Sequence, residues 1–188
     1  MLEVEATQLP DVLILKPRRF GDDRGWFCET WNAGRMREHG LDLAFVQDNH
    51  SFSADVGTLR GLHYQSPPRA QDKLVRCSRG AIRDVVVDAR NGSPTFGKWI
   101  AIEISAEDGR QILVPKGFLH GFVTTTPDTE VQYKVTDLYD PECDGSVAWD
   151  SLDIDWGLDG SRPILSNKDV VAPDFSDWHS PFDYEQAS

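Results

Sequence analysis

Short stretches of alternating or continuous apolar residues dominate the chain. Eight of them have the length and the β-branched or aromatic content of strands. These are Val12–Leu15, Lys73–Cys77, Ala81–Asp88, Trp99–Ile104, Gln111–Val114, Gly121–Thr125, Thr129–Val135 and Ser146–Asp150. Clusters of Gly, Pro, Asn and Asp separate them, as turns do. The pattern predicts an all-β fold, an antiparallel sandwich or barrel of the jelly-roll type.

One helix is predicted from Asn32 to His39, because Asn32 is a favourable N-cap and Gly40 a favourable residue to end it. A chain of 188 residues is long enough for one well-packed domain and short for two. We therefore predict a single domain over 1–188 with a few short helices, mainly C-terminal. Its core spans about 12–169, and residues 170–188 form a C-terminal extension.

Composition and charge narrow the class of protein. The net charge of −12 argues against nucleic acid or an acidic membrane surface as a partner. No run of apolar residues is long enough to span a membrane, and the N-terminus lacks the pattern of a secretory signal. The three cysteines are odd in number, which favours a reducing compartment. They show no CxxC spacing, which argues against a structural zinc site. We expect a soluble cytoplasmic protein.

The charge is unevenly distributed along the chain. Residues 140–188 hold twelve acidic and two basic residues, and we expect them to form solvated surface. Residues 60–83 hold six basic residues and one acidic residue, Asp72; the basic ones are Arg60, Arg69, Lys73, Arg76, Arg79 and Arg83. Since they surround His63, they predict a site for a small anion, phosphate being the most suitable.

Two histidines stand in stretches that resemble the motifs of the cupin family. His63 ends Gly57-x5-His63, and His120 ends Gly109-x5-Pro115-x-Gly117-x2-His120, where it would point into a small barrel. Gln65 replaces the second histidine of the first cupin motif, and no glutamate follows. A catalytic metal commonly needs three protein ligands, so we predict that no metal is required. His63 is then available as a general base.

Eight motifs in order resemble the dTDP-4-dehydrorhamnose 3,5-epimerase family, from Val12 to Asp169. They are Phe20-x3-Arg24-Gly-x-Phe27-x-Glu29, Gln47-x-Asn49-x-Ser51, Leu59-Arg-Gly-Leu-His-Tyr-Gln65, Gln71-x-Lys73, Val87-Asp-x-Arg90-x2-Ser-Pro-Thr95, Pro115-x-Gly-Phe-x-His-Gly-Phe122, Tyr133-Lys134 and Ser166-x-Lys-Asp169. The resemblance implies a cupin jelly roll. It also implies cofactor-independent epimerisation of a dTDP-4-keto-6-deoxy sugar at C3 and C5 through an enolate, giving dTDP-4-dehydro-L-rhamnose.

The resemblance also assigns catalytic roles. His63 would be the base and Tyr133 the acid, on opposite faces of the sugar. Lys73 would stabilise the enolate at the C4 oxygen, and Asp169 would orient His63. Without the resemblance, Tyr133 fits an ordinary strand aromatic, Asp169 a turn residue and Lys73 a surface lysine.

The same resemblance assigns substrate binding. Arg60 and His120 would meet the diphosphate, and Gln47 and Asn49 sugar or phosphate oxygens. Tyr139 would stack on thymine and Asp144 would recognise the base. Lys168 would be a further substrate-binding residue. Thymidine-side contacts would come from the partner subunit of a homodimer, through Phe20, Arg24, Phe27 and Glu29.

Three other functions are open at this point. A mono-epimerase inverting only C3 or C5 would keep the same histidine and tyrosine. A metal-dependent cupin oxygenase or isomerase conflicts with Gln65. A non-catalytic binding module for nucleotide sugars would leave His63, Lys73, Tyr133 and Asp169 idle.

Overall fold

Two antiparallel β-sheets enclose the core in the computed structural model, which describes residues 2–184. The strands are β1 Leu2–Ala6, β2 Leu13–Pro17, β3 Arg19–Asp22, β4 Gly25–Cys28, β5 Gln47–Ser53, β6 Leu59–Gln65, β7 Lys73–Arg79, β8 Ala81–Asp88, β9 Trp99–Ser105, β10 Gln111–Val114, β11 Phe118–Thr124, β12 Thr129–Val135 and β13 Asp144–Ser146. The helices are α1 Ala33–Glu38 and α2 Asn167–Val170. The all-β jelly-roll prediction is confirmed.

The larger sheet has the order β1-β2-β10-β7-β12-β5, and the smaller one β13-β6-β11-β8-β9. Strands β3 and β4 form a separate hairpin. Inward-facing residues of both sheets meet in one apolar cluster, which includes Val75 and Val131 from the larger sheet and Val86 and Phe122 from the smaller. Because side chains alternate along a strand, the face of β7 that carries Val75 also carries Lys73, and the face of β12 that carries Val131 also carries Tyr133.

Most predicted strands are present, with one clear error. The stretch Ser146–Asp150 is not a strand: pairing ends at Ser146, where β13 meets His63 of β6. Val147 still exchanges hydrogen bonds with Leu62, but the Ala148 N–H donates to Pro173, and its carbonyl accepts from Ser151 in a turn. The apolar content of this stretch reflects burial against the C-terminal segment, not a ladder.

The helix at Ala33–Glu38 is confirmed, with the Asn32 side chain accepting a hydrogen bond from the Arg35 N–H at 3.1 Å. Its C-cap is His39, and Gly40 follows with a φ of 78°. The few short helices expected are two, α1 with six residues near the N-terminus and α2 with four near the C-terminus. The short α2 begins after Ser166, whose hydroxyl accepts from the Asp169 N–H.

The C-terminal segment packs on the outer face of the smaller sheet. Trp156 and Phe182 are buried there, and Phe175 and Trp178 pack against the same cluster. The Trp178 indole N–H donates to the Tyr64 hydroxyl at 2.9 Å, which ties the segment to β6. Residues 185–188 of the predicted extension, like Met1 of the predicted domain, lie outside the described residues.

No helix between residues 2 and 184 is both long and apolar enough to cross a membrane.

Candidate active site

The four predicted catalytic side chains line one cavity of about 410 Å³. His63 comes from β6 in the smaller sheet, and Asp169 from α2, which packs against β6. Lys73 and Tyr133 lie on the neighbouring strands β7 and β12 of the larger sheet. Since Tyr133 pairs with Val75, two residues beyond Lys73, both side chains project from the same face.

His63 and Asp169 form a hydrogen-bonded pair. The His63 Nε2–H donates to Asp169 Oδ1 at 2.6 Å, and the Ser166 hydroxyl donates to Oδ2 at 2.7 Å. Burial of Asp169 acts to raise its pKa, but the hydrogen bonds from His63 and Ser166 outweigh burial and hold the pKa below its usual value. Asp169 is therefore an anion that fixes Nε2 as the protonated nitrogen and leaves Nδ1 as the basic one.

Lys73 and Tyr133 have altered acidity. Burial lowers the pKa of Lys73 to about 8, although the negative charges of Asp144 and Asp84 act in the opposite direction. Burial raises the pKa of Tyr133, against the influence of Arg60. At neutral pH the lysine is thus a desolvated cation and the tyrosine a neutral hydroxyl that can donate a proton.

A second cavity of about 270 Å³ adjoins the first. His63, Lys73 and Tyr133 line both, so the catalytic groups lie where the two cavities meet. The second cavity adds predicted binding residues, namely Gln47, Asn49, Tyr139 and Asp144. Arg60 and His120 line only the first of the two.

Gln65, which stands where the cupin motif has its second histidine, hydrogen-bonds a neighbouring loop. Its side chain is buried, its Nε2 donates to the Leu138 carbonyl at 2.9 Å, and its Oε1 accepts from the Asp140 N–H at 2.9 Å. The amide thereby holds the loop that carries Tyr139. Among residues 2–184, no cluster of three or more His, Cys, Asp or Glu side chains is arranged to hold a metal ion.

Other polar contacts fix the walls of the second cavity. The Gln47 amide donates to Asn49 Oδ1 at 2.9 Å and accepts from the Tyr139 N–H at 3.0 Å. Gln47 is therefore occupied in supporting Tyr139. Lys168 Nζ lies 2.5 Å from Asp144 Oδ2, which the Tyr139 hydroxyl also approaches at 3.4 Å.

The six basic residues of 60–83 do not all surround His63, which corrects the expectation that they form one anion site. Only Arg60 and Lys73 of its six cations line the two cavities. Three others pair with acids: Arg69 with Asp137, Arg79 with Asp128, and Arg83 with Glu103 and Asp155. Arg76 bonds Gln132. Side chains alternate between the two faces of the sheet along β7 and β8, so the basic residues of these strands lie on several surfaces.

The acidic C-terminal quarter is also not simply solvated surface. Asp169 is buried, and Asp144 and Asp155 pair with Lys168 and Arg83.

The hairpin β3–β4 carries three of the four residues expected at a partner's site. Phe20 and Phe27 are exposed, and the Arg24 guanidinium pairs with Asp22. Glu29 follows the hairpin and lies 3.3 Å from the Arg35 Nε. Within the described chain, none of these four lines the two cavities of its own subunit.

Sequence reasoning missed Asp84. It lies in the middle of β8 and accepts from the His120 Nε2–H at 2.9 Å through Oδ2 and 3.1 Å through Oδ1. A carboxylate inside the apolar run Ala81–Asp88 was the available signal, because an unpaired charge is rarely buried in a strand.

The arrangement suits proton transfer at carbon. An oriented histidine, a neutral tyrosine and a buried ammonium surround the same space, which supplies a base, an acid and a charge for a developing oxyanion.

Comparisons with known proteins agree with this chemistry. The family model for dTDP-4-dehydrorhamnose 3,5-epimerase matches residues 6–177. The enzyme of that name from Pseudomonas aeruginosa is 49% identical over 179 residues, covering 93% of this chain and 97% of the relative. The crystal structure of the Bacillus anthracis enzyme with TDP and PPi bound has a TM-score of 0.89 and 47% identity, covering 92% of this chain and 99% of that one. A Legionella pneumophila dTDP-6-deoxy-D-glucose-3,5-epimerase, in complex with dTDP-4-keto-L-rhamnose, has a TM-score of 0.93 and 41% identity over the whole of both chains.

Proposed function

The chain belongs to the dTDP-4-dehydrorhamnose 3,5-epimerase family and is an isomerase that epimerises C3 and C5, and we propose how its residues divide this work. The substrate is a dTDP-4-keto-6-deoxyglucose, and the product is dTDP-4-dehydro-L-rhamnose. The C4 ketone of the substrate acidifies the protons on C3 and C5, so removal of either proton gives an enolate.

His63 is the base, acting through Nδ1, because its Nε2–H is committed to Asp169. The Lys73 ammonium stabilises the oxyanion that forms on C4 when the proton leaves. Tyr133 then returns a proton to the opposite face, and its raised pKa keeps it protonated for that step. Asp169 holds the imidazole in the required tautomer.

The nucleotide lies toward the second cavity. Tyr139 stacks on the thymine, while Asn49, Asp144 and Lys168 line its path from the catalytic groups. Arg60 and His120 add cationic and hydrogen-bonding groups on the far side of the reacting carbons.

The enzyme acts as a homodimer in the cytoplasm. The exposed hairpin β3–β4 inserts into the partner's site, bringing Phe20, Arg24 and Phe27 with Glu29 to the thymidine. This insertion covers two aromatic rings that are otherwise in solvent. Three free cysteines fit a reducing compartment.

One observation carries the proposal: the His63–Asp169 pair shares a cavity with Lys73 and Tyr133. The test is NMR of a dTDP-4-keto-6-deoxyglucose substrate in D₂O. Deuterium enters C3 and C5 with the unsubstituted enzyme, and the His63→Ala variant abolishes exchange at both carbons. His39→Ala, which alters an exposed histidine at the end of α1, leaves both rates unchanged.

The assay also separates the alternatives. Exchange at one carbon alone identifies a mono-epimerase, and undiminished exchange in His63→Ala refutes the assignment of the base. Tight dTDP binding with no exchange over hours indicates a binding module.

A further inference from the structure

Asp84 is a buried charge that the mechanism above does not use. Its side chain is 0% exposed in the middle of β8, between Arg83 and Val85. A carboxylate without water is strongly unfavourable unless a cation or hydrogen-bond donors accompany it.

Both carboxylate oxygens accept from the same donor, the Nε2–H of His120. His120 lies on β11, next to β8, and its backbone is directly opposite His63 of β6 on the other side. The His120 ring lines the first cavity, whereas Asp84 lies behind it. Nδ1 of His120 makes no hydrogen bond to any residue that the structure describes, so it is available to a ligand.

The shape of the substrate decides which part of the ligand meets His120. A sugar, a diphosphate and a nucleoside are joined in a line, and the reacting carbons lie at His63, Lys73 and Tyr133. If thymine stacks on Tyr139, the diphosphate lies on the Tyr139 side of these groups. His120 lines the cavity on the other side, so it meets the sugar, not the diphosphate expected from the sequence.

We propose that Asp84 is a positioning residue that holds His120 by its Nε2–H, so that the ring, protonated at both nitrogens, donates a hydrogen bond from Nδ1 to the sugar oxygen that gains charge in the enolate. The buried carboxylate also supplies the counter-charge for a protonated ring in this position. The Asp84 charge additionally favours the ammonium form of Lys73. The inference rests on the proposed epimerase mechanism and extends its oxyanion site by two residues.

Asp84→Asn is the principal test, since it removes the charge and keeps the size. We expect kcat to fall about 10- to 100-fold, the range typical of carboxylates that orient metal-bound histidines. The dissociation constant of dTDP, which lacks the sugar, stays within about twofold. Measurements at about pH 6.5 keep Lys73 protonated in both proteins. A parallel loss of dTDP affinity, or an unchanged kcat, overturns the proposal.

Two comparisons separate positioning from a merely structural role. Asp88→Asn removes another fully buried aspartate of the same strand, which pairs with Arg90; neither residue lines the two cavities of the site. It lowers the melting temperature and leaves kcat unchanged. In a His120→Gln background, Asp84→Asn lowers kcat no further, because its partner is already gone. A full additional loss in that background contradicts action through His120.

One measurement needs no variant at Asp84 and therefore survives a failure of Asp84→Asn to fold. ¹⁵N NMR of histidine side chains in the unsubstituted enzyme with dTDP bound reports the protonation of each ring nitrogen. We expect Nε2 of His120 to carry a proton throughout about pH 6 to 9. An unprotonated Nε2 refutes the proposal. The proposed function is judged separately, by deuterium exchange in the unsubstituted enzyme.

Discussion

His63 and Asp169 are 106 residues apart in the sequence, yet the His63 Nε2 lies 2.6 Å from the Asp169 Oδ1. Asp169 is 3% exposed and also accepts from the Ser166 hydroxyl, so its position is fixed from two sides. The short helix α2 positions this carboxylate, because its N-cap Ser166 hydrogen-bonds both the backbone and the side chain of Asp169. The base is thus oriented by a residue of α2.

Asp169→Asn tests the importance of this orientation. The amide no longer specifies Nε2 as the donor, and it cannot stabilise the imidazolium formed when His63 takes a proton. We expect deuterium exchange at C3 and C5 to slow by about 10²- to 10⁴-fold. Asp174→Asn, an exposed acid in the same segment, is the matched control and retains the full rate. Similar rates in both variants would show that Asp169 does not orient the base.

Sequence analysis predicted the strands that are rich in apolar residues and missed the polar strand β5. Strands β7 to β12 alternate or are apolar throughout, and their burial generates the pattern. Strand β5, Gln-Asp-Asn-His-Ser-Phe-Ser, has hardly any apolar residue, because its inner face lines the site. Hydrophobic periodicity therefore misses β5, although it detects β7 and β12, which carry Lys73 and Tyr133.

The candidate site depended on a different kind of information. Tyr133 and Asp169 have no local signal that separates them from a strand aromatic and a turn residue, so only the ordered family motifs placed them with His63. Asp84 belongs to none of the roles that the motifs assigned. Its pairing with His120 depends on the register of β8 against β11, which only the folded structure shows.

Tyr133→Phe separates proton removal from inversion. His63 still removes the proton and can return it to the same face, but no acid serves the opposite face. We expect inversion to fall about 10²- to 10⁴-fold, while exchange without inversion persists at a higher rate. The measurement combines deuterium incorporation with NMR analysis of product configuration. Equal loss of exchange and inversion would place Tyr133 in the first proton transfer instead.

The pH dependence of kcat/KM reports the free enzyme, in which the pKa of Lys73 is about 8. Because the protonated form stabilises the enolate, kcat/KM should fall as the pH rises through about 8. Bound diphosphate favours the ammonium form, so the decline in kcat should lie at higher pH.

Lys73→Arg keeps its charge throughout the accessible pH range. We expect a lower maximal rate, since the guanidinium is larger, and loss of the decline near pH 8. Lys116→Arg, at an exposed lysine between β10 and β11, retains that decline. Persistence of the same decline in Lys73→Arg would assign it to another group.

Tyr139 and Leu138 offer an internal comparison for nucleotide binding. Both side chains are more than half exposed at the rim of the site, but Tyr139 alone lines the second cavity. Tyr139→Ala removes a stacking interaction of about 1–3 kcal/mol, so dTDP should bind about 5- to 150-fold more weakly by calorimetry. Leu138→Ala should change the affinity less than about twofold. Equal effects of the two substitutions would argue against stacking on Tyr139.

Mixing two inactive variants tests whether the hairpin serves the partner's site. Arg24→Ala/Phe27→Ala damages only the donated contacts, and His63→Ala damages only the receiving cavity. In a mixed dimer, one of the two sites then has an intact cavity and an intact hairpin. After subunit exchange in equal amounts, about one quarter of all sites are restored, and activity recovers accordingly.

The control for this experiment mixes His63→Ala with Tyr133→Phe, whose lesions lie in the same cavity. Every site of that mixed dimer carries one lesion, so inversion does not recover. Both mixtures contain the same fraction of mixed dimers, and subunit exchange is followed by native mass spectrometry. If the hairpin mixture also fails to recover while mixed dimers are present, the hairpin does not act across the interface. Recovery in the first mixture alone requires that residues of one subunit complete the site of the other.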